Sequence, residues 1–366
     1  LMPAYIHSIA TAVPETFAKQ EKVRDLMKSR FEGDRRTQAI LHRVYSQSGI
    51  EKRHTVLHDF HSGSGDSFFN RAFSEHSCPS TSERNEKYTQ EAIPLFLNVG
   101  EQLLNQNPEL DKNSITHVIT ISCTGFFAPG PDFEIVRGLK LNPSTQRYHI
   151  GFMGCYAAFQ GMKMAKAFCE ADPDAVVMVI ATELCSLHFQ KKNDPDTLIA
   201  SSVFADGAAG MIVSAKQPTH GFEMKAFTSS LAYEGEKDMA WTIGDSGFNM
   251  TLSSYVPDII SANLEDVITP LFESLKTTKE EIDLWAVHPG GRAIVDKVEE
   301  TLGLQDDQVR SSRKVLAEFG NMSSVTVLFV LNDILLQKPD SGKTILPIAF
   351  GPGLTIETGL FTSVKS

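Results

Sequence analysis

Four strongly apolar runs constrain this chain more than any other feature. They are THVITISC (116–123), AVVMVIATEL (175–184), DLWAVHPGG (283–291) and TILPIAFGPG (344–353). Short runs rich in Val and Ile, without polar alternation, predict strands buried on both faces, as in a sheet covered by helices. The first, third and fourth run into loops rich in Gly and Pro. Helical spacing lies between and around the runs, at 88–105, 132–139, 156–170, 259–275, 292–302 and 322–336. Strand–helix alternation of this kind predicts an α/β fold with mainly parallel mixed sheets sandwiched by helices. Ligands in such folds bind beyond the carboxyl ends of the strands, where these loops fall.

The same grammar occurs on both sides of a possible linker at 217–221, which suggests two related halves, 1–217 and 218–366. A further strand pair is expected in SVFADGAAGMIVSA (202–215), with a turn at Asp206-Gly207. Residues 58–84, rich in Ser, Gly, Asn and His, read as a long surface loop.

The bulk composition narrows the function class. The chain has 366 residues, 42% of them hydrophobic, which suffices for a large core. Its net charge of −11 disfavours nucleic acid and anionic membranes as partners. An anionic ligand must therefore meet a local basic patch against the overall field. The five cysteines are an odd count with no CxxC spacing, so neither a disulfide framework nor a structural zinc site is expected, and no metal is predicted. No run approaches the ~20 apolar residues that cross a bilayer. Residues 1–14 lack the basic-then-apolar order of a secretory signal. These features point to a soluble cytoplasmic enzyme.

Three segments carry chemistry. Cys155 stands in GFMGCYAAF, where Gly151 and Gly154 permit a sharp turn and a helix begins at or just after the cysteine. A helix N-terminus carries about half a positive charge and favours a thiolate, the nucleophilic form. Cys169 lies near a helix end and Cys78 in the loop, so neither has that setting. Cys123 and Cys185 end strands, where they line a pocket or simply pack. His288 follows the buried strand LWAV and precedes Pro289-Gly290-Gly291, which places an imidazole at a strand's carboxyl end. Asn321 sits where a polar turn becomes an apolar helix. By itself it reads first as a helix cap. Taken together, a thiolate that accepts an acyl group, an imidazole and a non-titrating amide form a set able to stabilise one developing oxyanion.

The segments GFMGCYAAF, WAVHPGGRAIVDKVE, EFGNMSSVTVLF and AFGPGLTIET resemble, in order, the signatures of chalcone-synthase-like type III polyketide synthases, with bacterial features in TELCSLHFQ and CTGFFAPG. The resemblance covers the chain from about residue 115 to its end. It implies the thiolase-like fold, a homodimer, and catalysis by Cys155, His288 and Asn321, with the Cys155 thiolate paired with protonated His288. It also implies malonyl-CoA as extender, an acyl-CoA starter, and no cofactor beyond these CoA thioesters. Phe204 matches the family's gatekeeper between CoA tunnel and cavity, and Arg43 a basic residue at the CoA entrance. The companion lysine position holds Gln47; Lys52 and Arg53 stand nearby as replacements or as ordinary solvated charges. Cys123, Cys185, His188, Trp241 and Met250 fall at cavity positions, with Gly290 and Gly291 beside the histidine. Trp241 stands where many plant relatives have glycine, which favours a small pyrone or resorcinol/phenol-type product over a flavonoid. The alternative is a β-ketoacyl-ACP synthase III-like enzyme performing a single condensation, against which HPGG and GNMSS argue.

Overall fold

The computed structural model describes residues 2–59, 68–69 and 78–365. Its strands are β1 (Tyr5–Ala12), β2 (Phe17–Lys19), β3 (Lys52–His54), β4 (His117–Ser122), β5 (Gln146–Gly151), β6 (Val176–Leu184), β7 (Asp206–Ser214), β8 (His220–Leu231), β9 (Met239–Gly244), β10 (Gly247–Leu252), β11 (Leu284–Val287), β12 (Thr344–Gly351) and β13 (Thr355–Lys365). The helices are α1 (Gln20–Ser29), α2 (Arg35–Ser46), α3 (Thr81–Gln106), α4 (Pro131–Gly138), α5 (Ala157–Ala171), α6 (Pro195–Val203), α7 (Val256–Leu275), α8 (Arg292–Leu302), α9 (Arg310–Phe319) and α10 (Thr326–Leu336).

Nine strands form one mixed sheet in the order β11-β12-β13-β8-β1-β7-β6-β4-β5. The apolar runs supply its parallel neighbours, β4 with β5, β4 with β6, and β11 with β12. Antiparallel strands β7, β1, β8 and β13 join the two sets across the centre. Side chains alternate between the faces, as the pleat requires. Ile119, Ile121, Val177 and Val179 face Phe159 and Met162 of α5 and Leu328 and Val330 of α10. Their neighbours Val118, Met178 and Ile180 face Phe96, Val99 and Leu103 of α3. At the far end Trp285 and Val287 pack with Ile260, Leu264, Val295 and Val298 of α7 and α8. Full burial of each such side chain is worth roughly 1.5–3 kcal/mol, so the sheet is a rigid platform for its loops.

The structure corrects three local expectations. Helix α3 begins at Thr81, because Ser80 and Glu83 form a reciprocal capping box. Only part of the 58–84 stretch is therefore loop; residues 60–67 and 70–77 lie outside the described residues. The expected strand pair at 202–215 is instead the end of α6 followed by the single strand β7. Asp206 does not turn the chain: it pairs with Leu184 across the sheet, and its carboxylate accepts the amides of Val56 and Ser186. Lastly, α10 starts at Thr326 rather than 322, after a tight turn in which Ser323 has a φ of 51°.

A candidate active site at the loop ends

Cys155 is placed by the turn between β5 and α5. Gly154 has a φ of 84°, and a Cβ there would lie 2.4 Å from Pro352 Cδ, so this turn demands glycine. The Ala157 amide bonds back to the Gly154 carbonyl, which leaves Cys155 in the turn just before the helix. His288 follows β11, with its amide donating to Ile348 O at 2.8 Å. Asn321 is joined to Phe204 by a backbone bridge: the Asn321 amide donates to Val203 O at 2.8 Å, and the Ala205 amide to Asn321 O at 2.9 Å. Its side chain is held by three bonds, the longest from the Thr326 hydroxyl to Oδ1 at 3.5 Å. Oδ1 accepts from the Ser323 amide at 2.8 Å, and Nδ2 donates to Gly290 O at 3.1 Å.

These three side chains converge on one cavity of about 530 Å³ including its open side. Cys123, Cys185, Phe204, Trp241, Met250 and Gly290 also line it. Gly291 lies beside it, as the residue capping α8. Both ring nitrogens of His288 are buried without a hydrogen-bond partner. Buried polar atoms are nearly always satisfied, so an imidazole left open toward a cavity is set to meet a ligand.

Burial acts on both titratable members of the set. Burial pushes the Cys155 thiol up to about 12, assisted by the nearby Glu183 carboxylate, while hydrogen bonds from Ser323 and Asn321 pull it down. Burial pushes His288 down to about 3. Loss of water thus works against the charged forms of both groups, in opposition to the helix N-terminus that favours the thiolate.

A second cavity, about 870 Å³ including its mouth, shares Cys185, Phe204, Trp241 and Met250 with the first. Phe204 therefore stands in the wall between them. The charged residues of its lining are Arg53 and Lys192, with no carboxylate, in a chain of net charge −11. The lining thus carries positive charge against the overall negative field. Arg43 lies on the exposed face of α2 and is absent from the lining, as is Gln47. Lys52 sits over the Phe17 ring. His188 lines this cavity but is fully engaged. Its Nε2 donates to Thr124 O at 2.5 Å, its Nδ1 accepts from the Phe248 amide at 3.0 Å, and its ring stacks on Phe248. Trp241 donates from Nε1 to Cys123 O at 2.7 Å.

Sequence reasoning passed over Glu183, Ser323 and Lys192. Glu183 is fully buried and accepts from the Cys123 amide and thiol and from the hydroxyls of Ser122, Thr124 and Ser324. Its signal was present, as a lone acid inside the apolar run AVVMVIATEL. Ser323 bonds Cys123 across the cavity at 3.3 Å, and nothing in GNMSS distinguishes it from its neighbour Ser324.

Comparison with known proteins agrees along the whole chain. Residues 2–217 match the N-terminal domain, and residues 223–365 the C-terminal domain, of chalcone and stilbene synthases. "Alpha-pyrone synthesis polyketide synthase-like Pks18" of Mycobacterium tuberculosis and of Mycobacterium bovis are each 30% identical, over 99% of this chain and 92% of the relative. Among solved structures, PKS-I of the brown alga Ectocarpus siliculosus superposes with a TM-score of 0.91 at 28% identity, covering 99% of both chains. The C-terminal type III polyketide synthase domain of Steely1 from Dictyostelium gives 0.90 at 26%, again over 99% of both. With one cavity holding the cysteine, histidine and asparagine and both domains matched, the chain belongs to the chalcone and stilbene synthase family and is a type III polyketide synthase with the thiolase-like fold.

Proposed function

We propose that this enzyme condenses malonyl-CoA repeatedly onto an acyl-CoA starter held on Cys155, then closes the chain to a small pyrone or resorcinol/phenol-type product. The observation that carries the reading is the cavity shared by Cys155, His288 and Asn321, which meets a second, cation-lined cavity at Cys185, Phe204, Trp241 and Met250. The family uses malonyl-CoA and acyl-CoA substrates, and both are anionic.

Cys155 gives its proton to His288 as it attacks the starter thioester, so the two charges arise together instead of separately in a dry site. The CoA thiolate leaves with the proton returned from His288. Malonyl-CoA then loses CO₂, and the electron pair of the broken C–C bond passes into an enolate whose oxygen takes hydrogen bonds from the neutral His288 ring and the Asn321 amide. That carbanion attacks the acyl-Cys155 carbonyl, forms the new C–C bond and expels the Cys155 thiolate, leaving the lengthened chain on CoA; the freed thiolate then takes the chain back, expelling the CoA thiolate, for another round. Phe204 screens the intermediate from the outer cavity. Lys192 and Arg53 offset the overall negative field along the approach, a role the resemblance had assigned to Arg43. Trp241 occupies volume that a longer chain would need, which supports a small product.

The reading includes a cytoplasmic homodimer, as the resemblance implies; a single-chain mass by light scattering counts against it. Incubation with malonyl-CoA and a panel of acyl-CoAs, followed by mass analysis, tests the activity. Products carrying two or more extensions are expected. A single extension, or dependence on a carrier protein, would transfer the enzyme to the single-condensation class.

A further inference from the structure

Arg53 lies on β3, far in sequence from the reacting residues, and is only 9% exposed. A buried guanidinium must place its donors on acceptors or be strongly destabilising. Its bonds all go to neutral oxygens: Nε to Gln20 Oε1 at 2.9 Å, and Nη1 to Ser201 O at 2.9 Å and Phe204 O at 2.7 Å. Ser201 lies in the last turn of α6 and Phe204 caps it, so these are helix-end carbonyls without an intrahelical partner, where a cation also meets the negative end of the dipole; the Ser201 carbonyl accepts from the Tyr45 hydroxyl as well, at 3.0 Å. The aliphatic stem is used as well. Gly320 has a φ of 72°, and a Cβ there would lie 2.9 Å from both Arg53 Cγ and Val203 O. The head of Arg53 thus holds Phe204 while its stem packs on the residue before Asn321, and these are the two sides of the Phe204–Asn321 bridge.

We propose that Arg53 is a positioning residue that fixes Asn321 and Phe204 against each other at the neck between the two cavities. A planar fork capping α6 sets the height of the Phe204 carbonyl, and the bridge passes that position to the Asn321 amide. This rests on the reading of Asn321 given above. Lysine in its place brings a charge without the fork, and methionine keeps only the stem.

A double-mutant cycle tests the idea. Arg53→Met, Arg53→Lys, Asn321→Ala and the Met/Ala double variant are compared with wild type in two assays. One is CO₂ release from malonyl-CoA; the other is the rate at which iodoacetamide modifies the Cys155 peptide at fixed pH. Arg53→Met is expected to lower kcat for CO₂ release about tenfold, with a smaller rise in KM, as sub-ångström misplacement of a catalytic group does. It should slow Cys155 alkylation as Asn321→Ala does, and Arg53→Lys should recover part of both. The double variant should be no worse than Asn321→Ala alone. Effects that multiply, or faster alkylation through a loosened fold, overturn the proposal. If Arg53→Met does not fold, Gln20→Leu removes the Nε acceptor, and a smaller non-additive loss is expected; wild-type behaviour of that variant also overturns it. Failure of the wild-type enzyme to release CO₂ refutes the assigned activity, while the alkylation cycle still decides the role of Arg53.

Discussion

At the scale of single residues, burial sets the chemistry. Cys155 and His288 are both driven toward their neutral forms, so reactivity depends on the hydrogen-bond donors that meet charge as it develops. Asn321→Ala should suppress malonyl-CoA decarboxylation by about two orders of magnitude or more, the usual loss for a removed oxyanion donor, and radiolabelled CO₂ release measures it. Cys155→Ala should abolish chain extension yet leave some decarboxylation, since the enolate donors remain. Glu183 shows burial acting on stability instead. Its carboxylate collects several donors around Cys123, and Glu183→Gln would turn one acceptor into a donor facing donors. A loss of about 1–3 kcal/mol is expected in urea unfolding; an unchanged midpoint would mean that the network contributes nothing.

At the scale of elements, the β9–β10 hairpin carries Trp241 and Met250 into both cavities. It is tied down by polar bonds from outside the sheet. Trp241 reaches Cys123 O, His188 takes the Phe248 amide, and Gln190 donates to Ser246 O and Phe248 O. The size of the reaction chamber is therefore a property of this hairpin's seating. Trp241→Gly should enlarge the chamber and shift products toward more extensions or longer starters, read as a rise in product mass with the same substrate panel. An identical product profile would remove Trp241 from the determinants of chain length.

At the scale of the whole molecule, buried titratable groups set the pH dependence of stability. Burial pushes His188 and His288 both down to about 3, from an ordinary histidine value of 6.5. The unfolded chain therefore binds protons that the fold refuses as pH falls below about 6.5, and the fold loses stability there. The cost at pH 5 is roughly 2 kcal/mol for each histidine. Asp206, pushed up to about 6 by burial, works the other way and recovers part of this as it takes up its proton. A net loss of a few kcal/mol between pH 7 and pH 5 is expected from urea titrations. His188→Phe should flatten the dependence while lowering stability at pH 7, because the Thr124 and Phe248 partners are left unpaired; an equally steep profile would exclude His188 as a source.

Local signals along the chain were enough to predict strands buried on both faces and Gly/Pro loops at their carboxyl ends, with Cys155, His288 and Asn321 as candidates there; choosing those three as a set leaned on the resemblance of whole segments to a family. Each is a short-range statement: β-branched runs, glycines that permit a sharp turn, and a thiol, an imidazole and an amide at chain reversals. Where local signals competed with distant partners, the reading failed. Asp206-Gly207 has turn chemistry, yet the amides of Val56 and Ser186 draw its carboxylate into a straight strand. Arg43 lies on the solvent-facing side of α2, outside the cavity lining that contains Arg53 and Lys192, and position in the chain did not separate these two places. It took the assembled fold to establish that burial opposes the charged form of Cys155, that His188 is spent on backbone groups, and that Arg53 lies against the segment carrying Asn321. Desolvation and long-range hydrogen bonds depend on which segments enclose a group, and that is fixed only once the sheet has formed.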